Sequence, residues 1–187
     1  MRNLHVVAPN EVFVASGTYR YWRDNVELGI SEQFTIHELQ GGAFLYRVDE
    51  DGRDEDGLTI LSEALISPDY QFDRFNVQSY NAKDQLLKTF KADYTFNPNY
   101  VQIGRQMQGA DREYDEFELL HDSQIYIKQT LYMGLTIRNI MAVEGESQVF
   151  APQLLSLDDN LLQKIIVKYI DTEALIIGKR TIETRKF

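Results

Sequence analysis

The chain contains no cysteine. Disulfides, thiolate nucleophiles and cysteine-ligated zinc or iron–sulfur centres are therefore excluded. Proline is scarce, at four residues in 187, and there is a single tryptophan. No run of about 18 apolar residues occurs, so no membrane-spanning helix is predicted. Basic residues are in deficit: 19 Lys and Arg stand against 29 Asp and Glu, a net charge of −10. Phosphate binding needs clustered cations, so nucleic acid and anionic membrane are predicted non-partners. The segment Met1 to Pro9 has one basic residue, and Pro9 interrupts its short apolar stretch. That reads as no signal peptide and a cytoplasmic location.

Catalytic signatures are missing too. There is no G-x-S-x-G elbow, no G-x-x-x-x-G-K-[ST] loop, no G-x-G-x-x-G and no H-E-x-x-H. The histidines His5, His37 and His121 are scattered and predict no metal site. The acidic stretch Asp49 to Gly57 resembles a calcium loop only in composition. Arg53 falls on a ligand position in either register, so a solvated hairpin loop is expected. The sequence assigns no catalytic residue, no metal and no cofactor.

What the chain does have is a series of turn signals. Asp24-Asn25, Gly41-Gly42, Asp56-Gly57, Ser67-Pro68-Asp69, Asn81-Ala82-Lys83-Asp84, Asn97-Pro98-Asn99 and Gln108-Gly109-Ala110-Asp111 punctuate segments rich in Val, Ile, Thr, Tyr and Phe. Such spacing predicts hairpin-connected antiparallel strands. The clearest alternation sets Phe90, Ala92, Tyr94 and Phe96 against Thr89, Lys91, Asp93 and Thr95, apolar toward a core and polar toward water. Strands are predicted at about 11–22, 30–39, 43–49, 58–66, 70–80, 86–96, 100–106, 113–120, 164–170 and 174–185.

The pattern changes between Ser123 and Ala142, where Asp and Glu vanish. Ile127, Leu131 and Leu135 recur at helical spacing, and Ser123 suits an N-cap. The β-branched residues Ile125, Thr130, Thr136, Ile137 and Ile140 leave a strand pair turning at Gly134 as the alternative. A short helix is placed over Leu154 to Leu162. The predicted class is a single domain over residues 1–187, mainly β. It is one strongly curved antiparallel sheet of about nine to eleven strands, a half-barrel or barrel, with one helical or apolar insert near residues 123–162.

Element order carries one resemblance. The strands from Ile30 to Leu120, the insert Ser123 to Leu162 and the closing strand Ile176 to Arg185 resemble the bacterial lipoprotein-carrier half-barrels and related bacterial domains. The resemblance implies a curved sheet around a hydrophobic cavity plugged by an internal helical segment. It transfers no functional residue.

The expected function is non-enzymatic binding of a hydrophobic or amphipathic, lipid-like small molecule in the concavity of the sheet. Candidate ligand-binding residues are Tyr19, Tyr21 and Trp22, which sit among Arg20 and Arg23; Phe90 and Tyr94 on the apolar side of their strand; and Ile127, Leu131, Met133 and Leu135 in the insert. A structural or interaction domain with a fully packed barrel is the alternative, with edge pairing between chains at the strand-like end near Phe187. An enzyme with a dispersed site would draw on His37, Glu63, Arg74 and His121.

Overall fold

A computed structural model describes residues 7–55, 57–81, 88–119, 124–141, 146–152, 162–168, 170–177 and 180–186. The first eight strands are β1 (Glu11–Arg23), β2 (Val26–Leu39), β3 (Phe44–Gly52), β4 (Leu58–Ile66), β5 (Phe72–Asn81), β6 (Lys88–Asn97), β7 (Tyr100–Met107) and β8 (Glu113–Glu118). They form one antiparallel meander in chain order, each strand paired to the next. β1 and β8 are its two edges, so the sheet is open. The remainder is β9 (Gln124–Ile125), the helix α1 (Thr130–Met141), β10 (Glu146–Pro152), β11 (Leu162–Lys168), β12 (Asp171–Ile177) and β13 (Arg180–Lys186). β9 and β11 flank β10 in a small sheet, and β12 and β13 form a hairpin. No helix among the described residues is long and apolar enough to cross a membrane.

The meander follows from its turns. Asp24 and Asn25 both take positive φ (51° and 64°), the mirror-image turn that matches strand twist and links β1 to β2 directly. Bulges between Phe13 and Ala15, between Arg20 and Trp22, and between Leu65 and Ile66 add bend to the sheet.

Register sorts the side chains into rows. One row on the inner face runs Gly17, Phe34, Val48, Ser62, Val77, Ala92, Arg105 across seven strands. The next runs Ala15, Ile36, Tyr46, Ala64, Phe75, Tyr94, Ile103. These rows converge on one buried cluster that also takes in Ile125, Ile127, Tyr132 and Leu135 from β9, the connection and α1. The sheet thus curls around the helix. The middle of its inner face is small (Ser62, Ala64, Ala92), and rings surround it.

The predicted class holds: mainly β, dominated by one open antiparallel sheet of eight strands, with one short helix among the described residues. Among the described residues the strands divide differently from expectation, eight in the large sheet and five in two smaller ones. The expected strand 174–185 is two strands, β12 and β13, in a hairpin. Asp49 to Gly52, placed in a loop, extends β3, because its backbone pairs with Leu61 to Leu58. The insert is helical only from Thr130; two residues before it pair with β10. Ser123, Leu154 to Leu161 and Phe187 lie outside the described residues.

Candidate functional site

The inner face and α1 meet in a mixed polar and aromatic seat. Tyr132 is at its centre and fully enclosed. Its ring meets Phe75 edge-on at 5.4 Å and Phe72 at 6.1 Å. The ring fits there because Ser62 and Ala64 leave the floor low. Its hydroxyl donates to the Tyr46 carbonyl at 3.0 Å and lies 3.2 Å from the Ser62 hydroxyl. Burial, the largest cause, pushes the phenol far above its ordinary range, so it serves as a neutral donor. Gln129 accepts from Ser62 at 2.5 Å and reaches Glu50 at 3.4 Å. Thr136 donates to the Ile125 carbonyl at 2.5 Å.

The N-terminal end of α1 rests on an acidic pair. Glu32 and Glu50 face each other across β2 and β3, an arrangement that repels unless something positive lies above it. The first turn of α1 supplies this. The Thr130 amide donates to Glu32 at 2.9 Å, so a carboxylate from the sheet occupies the positive end of the helix. The Tyr21 hydroxyl also donates to Glu32, and the Thr130 hydroxyl lies 2.5 Å from the Tyr21 oxygen. Tyr21 spends its single proton on the carboxylate, so Thr130 is the donor between the two hydroxyls. Burial, and then Glu32 itself, raise the Tyr21 pKa. The α1 sequence contains no acid to cap its own start. Glu32 does the work of a cap from 98 residues away.

The other end of α1 is clasped by Tyr70. This tyrosine holds φ at 66°, a conformation rare for a bulky side chain. Its ring stacks on Phe44 at 5.8 Å, the Arg138 guanidinium lies 3.5 Å from its centroid, and its carbonyl accepts from Asn139 at 3.0 Å.

Of the sequence-selected residues, Phe90, Tyr94, Ile127 and Leu135 are buried in the common core, and Leu131 packs on it. Tyr19 stacks on Phe34 at 5.2 Å. Tyr21 bonds Glu32 and Thr130 at the start of α1, and Met133 accepts from the Tyr126 hydroxyl at 2.9 Å. Trp22 is not brought to this face; it is 58% exposed beyond the second bulge of β1. Ser62, Glu32, Glu50, Gln129 and Tyr132 were missed. A signal existed for one of them: Glu32 has the parity of Phe34 and Ile36, so an acid stood on a face otherwise read as apolar.

A second polar group lies on the outer face. Arg47 binds Glu11 through two nitrogens, at 2.5 and 2.9 Å, and Glu63 through Nε at 2.6 Å. His37 is close by, Nδ1 lying 3.8 Å from Glu11 Oε2 without a hydrogen bond. The Glu11, Arg47 and His37 side chains are 3%, 6% and 6% exposed. The dispersed-site residues are thus only partly united. His37 and Glu63 share this group, Arg74 is exposed on β5, and His121 lies outside the described residues. The group is closed to a substrate, and its geometry is that of an ion-pair clamp. No protein-family model, curated protein or solved structure matches the chain.

Proposed function

We propose that the protein binds a hydrophobic or amphipathic, lipid-like small molecule against the inner face of the sheet, without catalysis, and that α1 is the plug that yields to it. The observation that carries this reading is the composition of the plug's buried side. A helix serving only as core presents an aliphatic stripe. α1 and the residue before it bury Gln129, Tyr132, Thr136 and Asn139, each hydrogen-bonded to the sheet or its loops. Such bonds contribute about 1 kcal/mol each net, because water replaces them when they open. Beneath them lies an unbroken set of rings, Phe72, Phe75, Tyr94 and Phe96, in mutual contact. A wettable latch over an aromatic floor suits a plug that exchanges with a ligand.

Native mass spectrometry of freshly purified protein, with titration by the fluorescent fatty acid cis-parinaric acid, tests this. A co-purified mass or saturable binding is expected. Tyr132→Phe should bind more tightly, because a loosened plug raises the population of the competent state. Absence of both an adduct and saturable binding, in wild type and variant alike, refutes the reading.

A second reading, an interaction domain with a packed sheet, is favoured by one feature. The edge strand β1 is uncharged from Val12 to Tyr19, and Val12, Phe13 and Val14 are all exposed. The opposite edge, β8, carries four acids in six residues, the usual defence against strand pairing. Light scattering that gives a dimer converted to monomer by Phe13→Lys would support pairing of chains at β1; a wild-type monomer would remove it.

A further inference from the structure

The outer face of β6, β7 and β8 holds a hollow of about 430 Å³, within the range of small-molecule sites. Two cross-strand rows build it: Asp93, Gly104, Tyr114 and Thr95, Gln102, Glu116. Gly104 leaves the first row without a central side chain. Arg112, from the turn before β8, leans into that gap; a Cβ on Gly104 would stand 2.6 Å from its Nη2. The guanidinium is held there by the Asp93 carboxylate and lies 5.4 Å from the Tyr114 ring centroid. The Gln102 amide donates to Glu116 at 3.2 Å.

An ordinary solvated strand face also carries polar groups, but without a dip or a paired arrangement. Here a guanidinium is paired with one carboxylate and an amide with another around a dip that also holds the Thr95 hydroxyl, with an aromatic ring 75% exposed at its margin. Charge narrows the ligand. Two carboxylates (Asp93, Glu116) against one guanidinium leave the outer-face lining net negative, which disfavours an anion; Asp115 shares the inner-face row of Ile103 and turns its side chain away from the hollow. Asp115 is engaged by Arg105 at 2.5 Å. The remaining groups offer acceptors and donors in alternation, as a ring of hydroxyls requires. Tyr114 offers a flat apolar face, as the C–H side of a sugar requires.

We propose that this hollow is a carbohydrate subsite that takes a neutral pyranose ring. Its hydroxyls donate to Asp93 and Glu116 and accept from Arg112 and Gln102, and its C–H face lies on Tyr114. The subsite lies on the opposite side of the sheet from α1 and is independent of the lipid-like ligand.

Amide chemical-shift titration with cellobiose, maltose and lactose tests it, with spermidine as the cationic comparison. Saturable shifts confined to Gly104, Gln102, Tyr114 and Glu116 are expected with at least one disaccharide, with a dissociation constant of about 1 mM, the weak end of the affinity scale. Tyr114→Ala should abolish them, and Arg112→Ala should weaken them about tenfold. Both side chains are on the surface, so a dispersed spectrum confirms that the variants fold. Three results each overturn the proposal: no saturable shift with any of the three sugars, saturation by spermidine alone, or sugar shifts that survive Tyr114→Ala.

Discussion

Replacing Glu11 by glutamine removes the charge from a doubly bonded, nearly buried ion pair on the outer face. Arg47, with hydrogen bonding as the main cause, holds the Glu11 carboxyl well below its ordinary 4.5, at about 2. That displacement corresponds to about 3 kcal/mol of native-state stabilisation at neutral pH. Breaking a buried pair so that one charge is left alone costs about 3–5 kcal/mol; Arg47 keeps Glu63, so the loss falls at the low end of that range. The sign follows from the direction of the shift. A carboxylate whose folded pKa lies below its unfolded value stabilises fully above 4.5. That contribution fades as pH falls through 4.5 toward about 2. Urea unfolding of wild type and Glu11→Gln should therefore differ by about 3 kcal/mol at neutral pH and converge on the acid limb. Arg47→Met should flatten the same pH dependence, because the Glu11 carboxyl then loses the main group that depresses it. A gap below about 1 kcal/mol at neutral pH, the level of a surface pair, or a gap that does not change with pH, would refute the reasoning.

Other substitutions test the inner face. Tyr132→Phe leaves the Tyr46 carbonyl without its donor, and a loss of about 1–3 kcal/mol in urea unfolding is expected. Glu32→Gln removes the anion at the start of α1; hydrogen exchange should rise at the α1 amides and stay unchanged in β5 and β6. Gly17→Ala would put a Cβ 2.7 Å from the Phe34 ring; loss of the Tyr19–Phe34 stack should cost about 1–3 kcal/mol, read from the thermal midpoint. Gly104→Ala should push Arg112 off Asp93 with a stability change below about 1 kcal/mol, and its signature is a shifted Arg112 side-chain resonance.

Strand identity was legible along the chain because it is a local property. Alternation at period two fixes which side chains share a face whatever the partner strand, and turn residues fix where the chain reverses. Phe90, Ala92, Tyr94 and Phe96 fall together on the inner face for that reason, and the turns at Asp24-Asn25 and Gly41-Gly42 stand where they were read. The start of α1 was less legible. Its N-terminal cap is a glutamate on β2, and no local signal marks a cap supplied by another element.

Composition and alternation are enough to specify a mainly β, antiparallel protein with an apolar, acid-free insert, and to rule out cysteine chemistry. Which charges meet follows from the three-dimensional packing of distant strands. Glu32 beneath α1, Arg47 between Glu11 and Glu63, and Arg112 in the gap over Gly104 each depend on register, bulges and curvature across separate strands. Side-chain periodicity carries information along one strand. Ion pairs and latches depend on distances between strands, which no single segment encodes.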